Sequence, residues 1–189
     1  MDGNGTIFIT NSLGLSIEAV RGNKIQKVLG QINPDADGIN RYNDLAFDNS
    51  GGLLIIDSDS STILRLNLAT GEVKKIADGP TVDKGLFYIS SLDYREGKML
   101  VAGVPFMKVA AAANVKTGPS KAFEFDGTSW HEVLDADAAA GVSVSQIREI
   151  HCAKDGGFTA IVGKLFVSIS PKGIIRRVAT GKKLWRWYC

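Results

Sequence analysis

Short runs in which apolar and polar residues alternate, separated by glycine-rich turns, recur along the chain. A period of two is that of a strand with one face toward a core. Aligned on Gly5, Gly52, Gly97 and Gly157, the chain falls into four units. Each glycine is followed by a strand at residues 6–10, 53–57, 98–102 and 158–162, then by a second strand starting at Leu15, Ile63, Lys121 or Leu165. A tight turn leads to a third strand starting at Lys24, Glu72, Ser129 or Ile174. Three units carry a further strand before the glycine, starting at Asn43, Ile89 and Ile147, and the first unit has none. Those strands place Phe47, Leu92 and Cys152 five residues before the glycine.

The terminal run LWRWYC, residues 184–189, alternates like a strand yet has no partner after it. Continued into Met1, it puts Cys189 in the same column and supplies the missing strand of the first unit. The expected fold is therefore all-β: a small four-bladed β-propeller, its ring closed by the C-terminal strand pairing with the N-terminal blade. Closure removes the open edges that a linear array would expose. As a single domain over residues 1–189, the blades would be 184–189 with 4–30, 43–79, 88–135 and 146–181. A rival arrangement has each tail complete a neighbouring chain, giving a homo-oligomer.

The segment RYNDLAFDNSGGLLIIDSDSSTILRLNLATGEVKKIA, residues 41–77, resembles blades of the NHL and gluconolactonase-type propeller group. The resemblance implies a propeller and decides little about function, since such folds host hydrolases, lectins, scaffolds and assembly proteins. Gluconolactonase-type enzymes hold a divalent metal on carboxylate and amide groups from several blades of a six-bladed ring. Only Asn43 and Asp44 match that pattern here.

Composition narrows the classes. A net charge of +2, with no single basic run, does not call for nucleic acid. No apolar stretch approaches the roughly 20 residues of a membrane span, and the N-terminus lacks the plan of a signal peptide. The expected location is cytoplasmic or within a larger assembly. Cys152 and Cys189 are too few for a disulfide framework or a zinc signature, and are expected to pack as free thiols.

Three candidate sites follow. In NPDADGINRYND, residues 33–44, Asn33, Asp35, Asp37 and Asp44 stand at the first, third, fifth and twelfth positions with Gly38 at the sixth, the spacing of an EF-hand-like calcium loop. If Ca2+ binds there, millimolar calcium should raise the melting temperature over that in EDTA, and Asp35→Ala with Asp37→Ala should remove the rise. Second, Asp44, Ile89 and Glu149 share a column with Arg186, so Asn43, Asp44 and Glu149 are the weak candidates for metal ligands or a catalytic base, against ion pairing as the structural alternative. His151 is expected inside the ring and His131 on an outer strand, neither beside a nucleophile. Third, residues 104–120 form an insertion in the third unit, and Phe106, Met107 and Val109 within it are expected to meet a protein partner. The lysines and arginines of the third strands, Lys24, Lys27, Lys74, Lys75, Arg176 and Arg177, discourage edge-to-edge pairing. The expected function is a non-catalytic binding or assembly module acting through protein contacts. The alternatives are a metal-dependent lactonase-type hydrolase and a glycan-binding propeller.

Overall fold

The computed structural model describes residues 5–11, 16–30, 42–58, 60–82, 85–109, 113–116, 118–141 and 146–180. Residues 184–189, and with them the proposed ring closure, lie outside the described residues. The chain divides into two compact units, residues 1–79 and 80–189.

The first unit holds two antiparallel sheets. One is three-stranded, in the order β1 (Ile7–Thr10), β2 (Ile17–Arg21), β3 (Lys24–Leu29). The other is four-stranded, β4 (Tyr42–Phe47), β5 (Gly52–Asp57), β6 (Thr62–Asn67), β7 (Val73–Asp78). Apolar residues on alternate positions bring the two together: Ile17 from one sheet packs with Tyr42, Leu53, Ile55, Leu64 and Leu66 from the other, and the Phe8 and Phe47 rings meet edge to face at 5.7 Å. Tyr42, fully buried, donates its hydroxyl to the Gly30 carbonyl at 2.9 Å, as a phenol taken out of water requires.

The second unit holds a five-stranded and a four-stranded sheet. In the first, β9 (Lys98–Val109) pairs with β8 (Leu86–Arg95) on one side and with β10 (Ala113–Lys116) and β11 (Lys121–Phe125) on the other, and β12 (Trp130–Asp135) follows β11. The second runs β13 (Ile147–Cys152), β14 (Phe158–Val162), β15 (Leu165–Ile169), β16 (Ile175–Thr180). Their shared core includes Leu100, Leu134, Ile147, Ile150, Phe158, Val167 and Ile169.

Two segments between the repeat strands take regular structure. Residues 104–109 continue β9, and β10 turns back along it, so the insertion is largely a β-hairpin. After β12 comes the short helix α1 (Ala136–Ala140), whose N-cap Asp135 side chain accepts from the Asp137 and Ala138 amides while Gly141 closes the end at φ 70°.

The turn glycines also shift by one place. Gly51 and Gly156, not Gly52 and Gly157, adopt the left-handed φ that Gly5 and Gly97 share, so the column is spaced by 46, 46 and 59 residues. Gly52 is required for another reason, because a methyl group there would overlap the Asp48 carboxylate and the Arg65 guanidinium.

Every third strand carries a bulge at the same point of the repeat. The register with the second strand skips Val28, Ile76, Val133 and Val178. A bulge adds local twist to an edge strand and makes it a poorer template for uncontrolled pairing.

Candidate functional site

Irregularity recurs in the strands β4, β8 and β13 that open three of the repeats. In β4 the register passes from Tyr42 opposite Asp57 to Leu45 opposite Ile55, so Asn43 and Asp44 together face one residue. In β8 Ser90 is the extra residue, and in β13 it is Arg148. Bulges of this kind re-aim side chains and often accompany functional sites. They also change the predicted column. Asp44 lies in its bulge, half buried, with Oδ1 accepting from the Leu45 amide at 2.8 Å. Ile89 is fully buried. Glu149 is exposed one residue past its bulge. Arg186, Asn33, Asp35 and Asp37 lie outside the described residues.

Exposed polar groups line β13. Glu149 and His151 alternate with the buried Ile150, and Asp93 comes from the packed strand β8. The His151 ring lies 3.8 Å from Asp93 by Nδ1 and 3.8 Å from Glu149 by Nε2, too far for hydrogen bonds. The expectation of an interior His151 is corrected here: its side chain is 63% exposed, because the alternation of β13 turns it away from the core. Asp93 holds the two sheets together by accepting the Cys152 amide at 2.7 Å through Oδ2.

Below this row lies a cavity of about 110 Å³ lined by Arg95, Lys98, Glu124, Cys152, Gly157 and Phe158. It has room for a few water molecules at roughly 30 Å³ each. Burial pushes the Cys152 thiol up to about 12, helped by the carboxylates of Asp93 and Glu124 and opposed by Arg95. A thiol so shifted stays protonated near neutrality and is a poor nucleophile. It is a free cysteine, as expected, and packs against the core of its unit. Lys98 bonds Glu124 at 2.9 Å, and that bond raises the lysine above its ordinary value. The niche can hold polar atoms, and its cysteine is a thiol, not a thiolate, near neutrality.

His131 lies on β12 as expected, exposed and 2.8 Å from Asp126 Oδ2. That contact, with donors from Ser129 and Thr128, holds the Asp126 carboxyl well below the usual range. It is turn chemistry. Among the described residues no three His, Cys, Asp or Glu side chains converge as a metal site.

The insertion is placed differently from the expectation. Phe106 is only 3% exposed and its ring meets Tyr88 edge to face at 6.3 Å, so it belongs to the core of its sheet. Met107 and Val109 continue β9. Opposite them β8 has ended, since Leu86 pairs with Phe106, and β12 ends at Asp135, which pairs through Lys121 to Gly103. From Met107 to Val109 the described partner of β9 is β10 alone. The result is a two-stranded ribbon, and a ribbon without further strands is at best marginally stable in water.

No family model and no curated protein matches the chain. Solved structures do. A streptogramin B lyase aligns with 96% of this chain and 53% of its own at 10% identity and a TM-score of 0.59. A nidogen/laminin complex aligns with 93% and 61% at 16% identity and a TM-score of 0.58. A gluconolactonase from Xanthomonas campestris aligns with 94% and 73% at 14% identity and a TM-score of 0.56. The chain thus spans little more than half the length of the first of these. At such identities the likeness concerns the fold alone. These neighbours are β-propeller proteins, and the chain shares their fold, with blades like those of the NHL and gluconolactonase-type group.

Proposed function

We propose that the chain is a non-catalytic binding or assembly module that holds a protein partner. The β9–β10 ribbon carries this reading. It extends past both neighbouring strands, and its backbone edges are unpaired among the described residues, as strand-addition recognition requires. The likeness to a propeller in a nidogen/laminin complex supports a protein-binding role, and the likeness to the gluconolactonase supports the alternative of a metal-dependent hydrolase using Asn43, Asp44 and Glu149. Replacing residues 107–115 with a two-residue Asn-Gly turn is expected to leave the melting temperature within a few degrees while abolishing capture of the cognate partner, identified by crosslinking through a photoreactive residue at Lys108. Retained capture would sink the reading. Metal-dependent turnover of a lactone panel, lost in Asp44→Asn and Glu149→Gln, would favour the hydrolase.

A further inference from the structure

The charge of this chain is unevenly placed. After Asp155 the sequence contains seven basic residues and no acidic one, whereas the part up to Asp155 has 15 basic and 20 acidic. Four of the seven are in described positions, all on the sheet β13–β16. Lys164 sits in the β14–β15 turn, Lys172 in the β15–β16 turn, and Arg176 and Arg177 on β16. All four are exposed.

Several basic side chains elsewhere have a carboxylate beside them. On β7, Lys74 reaches Glu72 at 3.0 Å and Lys75 reaches Asp78 at 2.7 Å. Lys121 on β11 is held by Glu132 and Asp135 of β12, and Lys98 on β9 by Glu124. On β3, Lys27 has Glu18 directly across in register. Neither β15 nor β16 has a carboxylate, and among the described residues none of the four basic groups is paired with one. Arg177 instead donates through Nε to the Ala139 carbonyl at 3.0 Å, which fixes its stem against α1.

Apolar groups accompany the charge. Ile175 and Val178 on β16 are 39% and 59% exposed, and Ile174 just before the strand is 55% exposed. β16 is also the last strand of its sheet, so its outer backbone groups are unpaired among the described residues. An edge of this kind joins three recognition elements: a hydrogen-bonding rail, aliphatic contacts, and uncompensated positive charge.

We propose that the outer edge of β16 docks an extended, acidic and aliphatic peptide segment of a protein partner. Backbone pairing would supply the alignment, while carboxylates on alternate positions meet Arg176 and the nearby Lys172 and the aliphatic side chains on the opposite face cover Ile175. β16 itself, Ile175–Thr180, runs roughly 20 Å at about 3.3 Å per residue, with the bulge at Val178 within it, which suits a segment of about six residues. A second copy of this edge is disfavoured as occupant, because it would gather four arginines in one ribbon with no carboxylate on either strand. No aromatic side chain is described on β16 for base stacking, which separates this surface from a single-stranded nucleic-acid platform.

The surface is separate from the β9–β10 ribbon, so the two can fail independently. The test uses the full chain and a fluorescein-labelled octapeptide of alternating glutamate and valine, followed by anisotropy. Binding is expected, weakening at least about tenfold with Lys172→Glu and Arg176→Glu together and also with 1 M salt. N-methylation of every second peptide amide should abolish binding, which charge attraction alone would not explain. Removal of the ribbon should leave it unchanged. Should the charge-reversed variant fail to fold by circular dichroism, Lys172→Gln with Arg176→Gln replaces it, with a smaller loss in the same direction. The proposal is overturned by absent binding at millimolar peptide, by equal affinity of the folded variant, or by indifference to N-methylation. Tighter binding of oligothymidylate or phosphatidylserine vesicles through the same residues would also overturn it.

Discussion

Gly103→Ala is expected to be among the most damaging single-methyl changes in this chain. Gly103 lies in β9 between two paired strands, opposite Ile89 on one side and Lys121 on the other. A methyl group there would overlap the Tyr88 carbonyl and come within 2.8 Å of the Phe87 ring. The obstruction is backbone of a neighbouring strand, so no rotamer change relieves it. The adjacent bulge at Ser90 brings that carbonyl close, and Phe87 is fully buried with its ring 5.1 Å from Phe123. Accommodating the methyl must therefore push β8 from β9 or repack two phenylalanines. Overpacking typically costs about 1–3 kcal/mol, and a backbone clash belongs at or beyond the upper end, about 3 kcal/mol. Urea unfolding checks it. A midpoint indistinguishable from the parent's would mean that β8 and β9 yield freely at this point.

Asp48→Ala is expected to cost a similar amount, about 3 kcal/mol, through electrostatics. Asp48 is buried in the turn between β4 and β5. Its Oδ1 accepts the Ser50 and Gly52 amides, both at 2.8 Å, and its Oδ2 pairs with Arg65 Nε from β6. Arg65 also donates to Ser50 Oγ at 3.2 Å. Truncation would leave two amides and a guanidinium without their acceptor. Asp48→Asn, which keeps the shape, should cost less. Burial is the largest single influence on this carboxyl and acts upward, but the Ser50 and Gly52 amides and Arg65 together outweigh it and hold the group below its ordinary value of 3.8. A carboxyl lowered by folding stabilises the fold above that ordinary value and loses its contribution as pH falls through the lower native one. The gap between parent and Asp48→Asn in urea midpoint should accordingly be full at pH 7 and shrink below about pH 3.8. A gap independent of pH would assign the loss to packing instead.

Much of the fold was legible from alternation and turn chemistry. β3 occupies the third strand read from Lys24, β14 the strand at residues 158–162, and β13 begins at Ile147 as expected, because a strand that buries one face must repeat every second residue. The likeness to NHL and gluconolactonase-type blades was legible in residues 41–77 for the same reason. The candidate sites were less legible. Asp44 and Glu149 were singled out as candidate metal ligands or a base, but the bulges at Asn43–Asp44 and at Arg148 that set their places leave no local mark beyond a broken alternation. Phe106 reads as an exposed group of a long connection, and only the partner strand β8 makes it core.

By itself the sequence determined an all-β chain of four repeated units, the strands within them, and an insertion in the third. These are local properties, carried by each residue and its neighbours two or four places away. Tertiary structure decided the rest: which glycine of each Gly-Gly pair takes the left-handed turn, that Asp48 locks to Arg65, that His151 faces solvent, and that the positive charge of β16 goes unanswered while that of β7 does not. Each depends on what another strand places alongside, and that pairing is set by register and burial across tens of residues, where alternation along one strand carries no information.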